Sequence, residues 1–590
     1  MNATPQATGF APAEVVWRED GTAVSPKFGD VFHSASGAAA QARYVFIQGN
    51  DLPARWQRGE ATRIAELGFG SGLNFLLSAQ LFLDHAPATA TLYYLGLELH
   101  PWTRTDAERL LHDAPIAAQL KSQWLDALNA LVVGPNRIIL AQGRIQLTLI
   151  VAEAQLSLKQ ASFPVECWFL DGFGPRYNPE MWQPELLQTI ASQLQPGGTL
   201  ATWCCAGPVR RELEAAGLHI AKQPGFGRKR EMLVAHKPGL SQPLRVSRLK
   251  VIGGGLAGAW TARLAAERGL EVQLVDAAKA PATGASCMPM LMVRPYARHR
   301  DTPTGRFFWQ AAAFSVSRLN AWQPPGWQAC AIWREFGEEV PHWLEPAGWH
   351  DGPKLCQFLL EHPRIQCEWQ RSIPPQLHKL SASEAQVWAT AVPPQPVQPG
   401  PQGASLVRAI RGQQSLWQSG ALQLGQHNPR VGHCVGVETP LGLYFGASQG
   451  FDDLGLDHRP HEALTYGARL PKPPQESDLA QMQHWTGTRR QSRDRLPLVG
   501  PCPDIHLQPQ PGLAAGRAHQ TDLPVIEGHW LNVAHGARTA TSAGLAASLL
   551  LDRIMGTPWA CLADEAFALD PRRFWLRAWR RGEWERSMQP

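Results

Sequence analysis

Short apolar runs alternate with longer stretches of helical periodicity along the chain, and two of these runs lead directly into glycine-rich loops. After the first run come glycines at 68–72 and an apolar helical stretch at 76–83. After the second come glycines at 253–258, a helical stretch at 261–268 and another apolar run at 272–275. Strand, tight turn and helix in this order are typical of parallel α/β sheets. The pattern predicts an α/β fold in both halves of the chain.

The chain is long enough for more than one hydrophobic core. It has 590 residues, of which 44% are hydrophobic, and its mean hydropathy of −0.23 is ordinary for a globular protein. The segment 237–247 is rich in proline, glycine and serine, which is typical of a linker. We predict two domains, residues 1–240 and 249–590.

Composition excludes several classes of protein. No apolar run approaches the roughly 18 residues of a membrane-spanning helix, and the polar residues 1–12 do not form a secretory signal. The ten cysteines are scattered, without C-x-x-C spacing, so neither a disulfide framework nor a metal site is predicted. We expect a cytoplasmic protein.

The first glycine loop has the spacing Gly68-x-Gly70-x-Gly72, which lets a ligand approach the backbone closely. Glu66 stands two residues before the loop, where it can meet an amino-bearing or cationic ligand. Glu98 ends the next predicted strand, 92–97, and can accept hydrogen bonds from two ribose hydroxyls. The spacing favours S-adenosylmethionine over a dinucleotide, because it lacks the pyrophosphate-binding pattern. A plain tight turn between strand and helix is the alternative.

A further carboxylate follows the apolar strand predicted at 167–170. Asp171 therefore stands at the carboxyl end of a parallel strand, where such sheets bind ligands. It can orient a substrate amine and take its proton. A turn-forming or helix-capping aspartate is the alternative interpretation.

The second glycine loop has the spacing Gly253-x-Gly255-x-x-Gly258, and Asp276 ends the strand that follows. These residues form the dinucleotide-binding fingerprint in its required context of strand, loop, helix and acid. The loop alone leaves both NAD and FAD open.

The net charge of +5 is small, so the position of the basic residues matters more than their total. Arg228, Lys229 and Arg230 are consecutive, with Glu231 as the next residue, and are candidates for contact with RNA phosphates. The tail at 572–584 interleaves arginines with aromatic residues. It either contacts RNA or forms an amphipathic helix that packs Trp575 and Trp579 against the domain.

Several motifs in the first half occur together in a known family. The segments D-G-F-G-P-R-Y-N-P-E-M-W at 171–182, A-G-P-V-R-R at 206–211 and G-F-G-R-K-R-E-M at 225–232 resemble the methyltransferase half of the bifunctional tRNA 5-methylaminomethyl-2-thiouridine biosynthesis family. The resemblance implies a Rossmann-like domain that uses S-adenosylmethionine. It also implies an adenine contact from Glu153, where the family usually has aspartate.

The second half resembles the oxidase half of the same family, which is similar to D-amino-acid-oxidase-like flavoproteins. The resemblance lies in Gly284-Ala-Ser286 and in segments 487–500 and 535–538. It implies an α/β FAD-binding domain in which Ser286 lies at the flavin. Arg489 and Arg538 are candidates for binding a substrate carboxylate, with a structural ion pair as the alternative for each.

Two details of this half are less regular. After Ser286 the chain reads C-M-P-M-L-M at 287–292 where the family tends to have small residues, so the larger side chains either narrow the flavin site or repack it. Arg493 and Asp494 are expected to form an internal ion pair.

The resemblance implies two successive reactions on the wobble uridine of certain tRNAs. FAD-dependent removal of a carboxymethyl group would give an aminomethyl group, which S-adenosylmethionine would then methylate. Two alternatives stay open: a small-molecule amine oxidase fused to a small-molecule methyltransferase, or a chain in which one domain is a silent tRNA-binding platform. The arginines of the tail at 572–584 and of the basic segment at 228–230 are consistent with a tRNA partner. We expect a monomer, because a fused pair of enzymes has no obvious need of a protein partner.

Overall fold

The computed structural model divides the chain into two compact units. It describes residues 10–582 except 61, 161–162, 241–245, 297–300, 336–341, 375–376, 378–379, 395–396, 398–404, 419–423, 426–427, 433–434, 506 and 508–517. The first unit extends to residue 245 and includes Glu267–Gly269 and Met555–Ala563, and the remainder forms the second unit. The predicted linker therefore lies partly outside the described residues.

A mixed sheet forms the centre of the first unit. Its strands lie side by side in the order His219–Pro224, Glu231–His236, Leu194–Thr202, Val165–Leu170, Arg63–Leu67, Leu92–Glu98, Ile145–Val151 and Gly134–Leu140. The strands from Leu194–Thr202 to Ile145–Val151 are parallel, and antiparallel strands flank them. A small antiparallel sheet consists of Val16–Trp17, Ala23–Ser25 and Asp30–Val31.

Helices cover both faces of this sheet, so its central strands are buried. They are Ala38–Ala42, which continues into a π-helix at Arg43–Gln48, and Leu52–Gln57, Leu73–His85, Arg104–Leu111, Ala118–Leu128, Ala154–Gln160, Pro184–Gln193 and Gly207–Ala215. Every residue of Val165–Leu170 is buried, as expected for a parallel strand covered on both faces. On one face Phe75, Phe82 and Phe169 share an apolar cluster, and on the other Trp168 packs with Leu186 and Ile190.

The order of these strands determines where a ligand can bind. Arg63–Leu67 has Leu92–Glu98 on one side and Val165–Leu170 on the other, so the chain reverses its direction of winding there. Such a switch point opens a crevice at the carboxyl ends of the strands. The first glycine loop and Asp171 directly follow the two strands, Arg63–Leu67 and Val165–Leu170, that end at this crevice.

The second unit contains a sheet that is mostly parallel. Its strands are, in order, Ile365–Glu368, Glu271–Val275, Arg248–Ile252, Glu384–Trp388, Val525–Val533 and the antiparallel Leu498–Pro503. A second sheet contains His342–Leu344, Ile332–Glu335, Arg430–Gly432, Gly436–Thr439, Gly442–Gly446, Val407–Trp417 and Gly450–Phe451, and Met482–Ser492 pairs with Val407–Trp417. A third sheet contains Leu291–Val293, Gly348–His350 and Gln328–Ala329.

The helices of this unit are Leu256–Glu267, Pro303–Trp322, Gly352–Leu360, Pro460–Gly467, Thr539–Met555, Ala563–Leu569 and Arg573–Arg580. In the last of these, Trp575 is 3% exposed, and Arg573 bonds Asp494 through a 2.8 Å ion pair. The described part of the tail is thus the amphipathic helix packed on its own unit; residues 583 and 584 lie outside the described residues.

The methionines after Ser286 pack inward. Met290 and Met292 are buried in an apolar cluster with Ile332 and Leu344. These two side chains are therefore part of the core of the unit. Across the described ranges, no helix has the length and apolar character needed to cross a membrane.

Candidate active sites

The first unit has a cleft of about 1130 Å³ at the carboxyl edge of its parallel strands. Gly68 and Gly70 of the glycine loop line it together with Glu98, Glu153 and Asp171, whereas Gly72 lies outside the lining. These residues come from separate parts of the sequence, and the fold brings them together.

The loop glycines are required by their surroundings. At Gly68, which has a φ of 83°, an added Cβ would lie 2.0 Å from the carbonyl oxygen of Asp171. At Gly72, which has a φ of 84°, it would lie 2.9 Å from the indole of Trp124. A side chain at either position would therefore disrupt both the loop and its neighbours.

Glu98 holds the loop against the adjacent strand. Its carboxylate accepts hydrogen bonds from the backbone N–H groups of Gly70, at 2.7 Å, and His100, at 2.9 Å. Burial raises the pKa of Glu98. A carboxylate has about four acceptor sites, so ribose hydroxyls can still bind to this one.

Asp171 is connected to the loop helix through Asn74. The Asn74 side-chain nitrogen donates to Asp171 Oδ2 at 2.8 Å and to Glu66 Oε1 at 2.6 Å. The indole N–H of Trp203 donates to Asp171 Oδ1 at 3.2 Å. Asn74 thus fixes the positions of two carboxylates with the two hydrogens of one amide.

Burial raises the pKa of Asp171 to about 7, although the hydrogen bonds from Asn74 and Trp203 act in the opposite direction. Burial and the charge of Asp171 also raise the pKa of Glu66 well above its usual value. Two carboxyl groups that resist ionisation in this way favour a cationic or amine ligand, whose positive charge offsets the repulsion between them.

Glu66 itself does not line the cleft. It is fully buried and accepts a second hydrogen bond, at 2.9 Å, from the hydroxyl of Tyr94. Its position differs from the expected direct contact with a ligand, because both of its oxygens already have partners. Glu66 acts on the cleft through Asn74.

Aromatic residues from the N-terminal segment form another wall of the cleft. The rings of Phe28 and Phe173 stack with their centroids 4.7 Å apart, and the ring centroids of Phe32 and Trp102 are also 4.7 Å apart. Asp30 accepts a 3.0 Å hydrogen bond from the backbone N–H of Gly174, which fixes the loop after Asp171. No local sequence pattern indicates a role for Asp30 or Asn74, because these contacts join distant segments.

The basic segment borders this cleft in part. Arg228 and Lys229 line it, whereas Arg230 lies outside the lining. The ammonium of Lys229 lies 4.2 Å from the ring centre of Trp203, the residue that bonds Asp171. All three basic side chains are exposed, and within the described ranges none makes an ion pair. Glu153 is exposed at the end of its strand.

In the second unit the glycine loop is packed equally closely. A Cβ on Gly258 would lie 1.8 Å from the carbonyl oxygen of Gly253, and one on Gly255 would lie 3.3 Å from Ser286 Oγ. Asp276 accepts from the backbone N–H of Gly254 at 2.6 Å and from that of Ala278 at 2.8 Å. Ser286 Oγ accepts from Leu256 N at 3.1 Å, at the start of the helix that follows the loop.

Arg489 and Arg538 are both half-buried, and the guanidinium of Arg538 lies 5.4 Å from the ring centre of Tyr296. Burial lowers the pKa of each guanidinium, and nearby phenols act in the opposite direction, those of Tyr466 and Tyr296 on Arg489 and that of Tyr296 on Arg538. Arg489 donates to the carbonyl of Ser448 at 3.1 Å, and Arg538 lies 4.7 Å from the ring centre of Phe308. Within the described ranges neither forms an ion pair, so the structure does not place them in the structural salt bridges that were the alternative.

Arg493 and Asp494 do not form the expected ion pair in the part of the chain that the structure describes. Asp494 instead bonds Arg573 at 2.8 Å and Arg577 at 3.0 Å. The prediction was wrong because it considered only neighbours in sequence, whereas the C-terminal helix brings two arginines to this carboxylate.

Comparison with known proteins assigns both halves of the chain. Residues 113–238 match the family model of an S-adenosyl-L-methionine-dependent methyltransferase, and residues 248–363 match that of an FAD dependent oxidoreductase. The tRNA 5-methylaminomethyl-2-thiouridine biosynthesis bifunctional protein MnmC of Cupriavidus metallidurans is 32% identical, over 97% of each chain. The chain belongs to the MnmC family. The protein of the same name from Thiobacillus denitrificans is 31% identical, over 96% of this chain and 98% of its own.

Membership in the MnmC family confirms the predicted fold classes and cofactors. The chain is an S-adenosylmethionine-dependent methyltransferase joined to an FAD-dependent oxidoreductase. The crystal structure of MNMC2 from Aquifex aeolicus is 22% identical and covers 41% of this chain and 74% of its own, with a TM-score of 0.32, too low to add to the assignment.

The residues present fit both cofactors. In the first unit the buried indole nitrogen of Trp102, close to Gly70, has no acceptor among the described residues, so it can donate to a ligand. In the second unit, a side chain on Gly253 or Gly258 would collide with backbone atoms, so the tight turn from strand to helix in the dinucleotide fingerprint depends on these glycines.

Proposed function

We propose that this chain performs the last two steps in the synthesis of 5-methylaminomethyl-2-thiouridine at the wobble position of tRNA. Residues 249–590 remove the carboxymethyl group of 5-carboxymethylaminomethyl-2-thiouridine as glyoxylate, and residues 1–240 methylate the resulting primary amine. The match to proteins named for this biosynthesis, over nearly the full length of both chains, carries the proposal. The first reaction creates the nucleophile that the second consumes.

In the oxidoreductase, bound FAD would accept the two electrons removed from the bond between the amine nitrogen and the carboxymethyl carbon. Water would then cleave this bond and supply the aldehyde oxygen of glyoxylate. Arg489 and Arg538 bind the substrate carboxylate, because a guanidinium pairs with a carboxylate through two parallel hydrogen bonds. Arg489 Nε is buried without an acceptor among the described residues, which supports this role. Gly253, Gly255, Gly258, Asp276 and Ser286 hold the cofactor.

In the methyltransferase, Gly68, Gly70, Gly72, Glu98 and Glu153 hold S-adenosylmethionine. Asp171 positions the aminomethyl group and takes a proton from it, because an alkylamine is mostly protonated at neutral pH and only its free form attacks a methyl group. A pKa of about 7 suits Asp171 to that exchange. Glu66 supports it through Asn74.

Mass spectrometry of nucleosides tests the two steps together. Hypomodified tRNA is incubated with the purified protein, with and without S-adenosylmethionine. We expect the carboxymethylaminomethyl nucleoside to disappear and the aminomethyl nucleoside to accumulate until S-adenosylmethionine is added. No change in either nucleoside, with turnover of free amines, would favour the small-molecule alternative.

Replacing Arg489 by Met is expected to lower kcat/KM for the carboxymethylated tRNA by about 100-fold, because the substrate carboxylate is deprived of a charged partner. Methylation of supplied aminomethyl-tRNA stays unchanged. Lys354→Met, which removes an exposed cation of the same unit, is the control. An Arg489→Met protein with normal kcat/KM would show that this residue does not bind the carboxylate.

Replacing Arg228, Lys229 and Arg230 together by Ala is expected to weaken tRNA binding. The slope of log affinity against log salt should fall by about one for each phosphate that the variant no longer binds. Binding is measured by fluorescence anisotropy across a salt series. A variant lacking three other exposed cations of the same unit, Arg58, Arg109 and Lys159, is the control. Equally weakened binding in both variants would reject a specific role for this segment.

A further inference from the structure

A second groove, of about 540 Å³, lies in the oxidoreductase unit beside Val407–Trp417 and Met482–Ser492. Arg408, Arg490, Arg493 and Arg495 line it, together with Asp452 as the acidic residue of that lining. The lining of the groove therefore contains four guanidinium groups and one carboxylate. We call these four residues the arginine groove.

The charge of this groove is not neutralised by its surroundings. In the parts of the chain that the structure describes, no ion pair involves any of the four side chains, and the buried Nε of Arg490 has no acceptor. The neighbouring acids are already paired: Asp453 and Asp457 with Arg459, and Asp494 with residues of the C-terminal helix. The groove is thus suited to a ligand that brings several negative charges.

An exposed aromatic ring adjoins these charges. Phe451 is 54% exposed, and the guanidinium of Arg408 lies 4.2 Å from its ring centre. Leu454, which lines the groove, is 61% exposed. An arginine beside an open aromatic ring matches the chemistry of unpaired RNA, whose phosphates bind cations and whose bases stack on flat side chains. An acidic peptide or a free phosphate does not require the ring.

The groove adjoins the proposed carboxylate site. Gln491 lines the groove and pairs with His535, which precedes the segment of Arg538. Burial is the largest cause of the lowered pKa of the Arg538 guanidinium, and the positive charges of Arg294 and Arg495 lower this pKa further. Arg495 therefore lies within electrostatic range of Arg538.

We propose that the arginine groove binds the backbone and an unpaired base of the tRNA substrate while a wobble uridine occupies the oxidoreductase site. This inference rests on the proposed function. It gives the oxidoreductase an RNA-binding surface of its own, separate from Arg228 to Arg230. The unit then selects tRNA over free amines by binding phosphates outside the site of oxidation.

The test is an Arg408→Ala/Arg493→Ala double variant of the full chain, since both side chains are exposed. Each phosphate neutralised on a single strand adds about 0.7 to the salt slope, so a variant that binds two fewer phosphates has a slope smaller by about 1.4 and a tRNA affinity at 0.1 M salt up to about 25-fold weaker. Arg248→Ala/Lys354→Ala removes two exposed cations elsewhere in the unit and serves as control. Oxidation of the free carboxymethylaminomethyl nucleoside is measured in parallel and stays unchanged.

The outcomes separate this inference from the proposed function. Weaker tRNA binding with a smaller slope in the groove variant alone supports the inference. Equal tRNA binding by wild type and groove variant overturns it while leaving the proposed function intact, and equally weakened binding in the control overturns it as a general charge effect. A wild-type protein that binds no tRNA overturns both. A Phe451→Ala variant with unchanged affinity for tRNA removes the base-stacking part.

Discussion

An Asp171→Asn protein is expected to methylate aminomethyl-tRNA about 10²–10⁴-fold more slowly than the wild type while binding S-adenosylmethionine normally. Asparagine keeps the shape of Asp171 but has a single acceptor oxygen, so it retains the hydrogen bond from Asn74 or the one from Trp203, and it cannot take a proton from the amine. Single-turnover methylation and calorimetric titration with S-adenosylmethionine measure the two properties separately. Near-normal methylation would exclude Asp171 as the proton acceptor.

The same substitution should change the pH dependence of the methylation rate. Because the pKa of Asp171 is about 7, the wild-type rate rises through that pH as the carboxylate forms, and this rise is absent from the variant.

The melting temperature of the variant shows whether it is folded. A carboxyl group whose pKa is raised by burial destabilises the folded state as pH rises above its unfolded pKa, so Asp171→Asn should be at least as thermostable as wild type at pH 8. A markedly lower melting temperature would attribute the missing activity to unfolding.

Replacing Gly258 by Ala is expected to abolish FAD binding and to leave methylation of supplied aminomethyl-tRNA in place. The added Cβ would lie 1.8 Å from the carbonyl oxygen of Gly253, so the loop and the start of its helix must separate. Overpacking of this kind typically costs about 1–3 kcal/mol, and here it displaces the backbone that contacts the cofactor. The flavin absorbance of the purified protein measures the result.

Gly436 provides a control for that experiment. It lies in the same unit, outside the segments that resemble flavoproteins, and the atom nearest to an added Cβ would be a terminal methyl carbon of Leu424 at 3.3 Å. Gly436→Ala should therefore retain flavin. If both alanine variants keep their yellow colour, close packing at Gly258 is not what maintains the loop.

Local patterns in the sequence predicted the elements and acids of both sites, but they did not predict contacts between distant segments. The strand predicted at 167–170 occurs as Val165–Leu170, and the helical stretch predicted at 76–83 lies within the helix Leu73–His85. An apolar run and a strand-ending carboxylate are local signals, so Asp171, Glu98 and Asp276 could be found from them. Tyr296, whose ring lies beside Arg538, has no such signal because its neighbours come from remote parts of the chain.

Glu66 shows a second limit of sequence analysis. Its position before the glycine loop resembles that of a ligand-binding acid, yet the side chain points to Tyr94 and Asn74 within the core. The direction of a side chain on a central strand depends on the helices that cover each face. Those helices are assembled from the whole unit, and a single strand does not contain that information.

In both units the acid at the end of the second strand is bonded to the glycine loop, through Gly70 and Glu98 in one and Gly254 and Asp276 in the other. A free backbone loses about 1–2 kcal/mol per residue in conformational entropy when it becomes ordered. Because each loop is already fastened to its neighbouring strand, that loss occurs during folding and not when the ligand arrives. The two acids thus make the loops rigid receptors, and the two cofactors, though chemically unrelated, meet the same kind of pre-organised backbone.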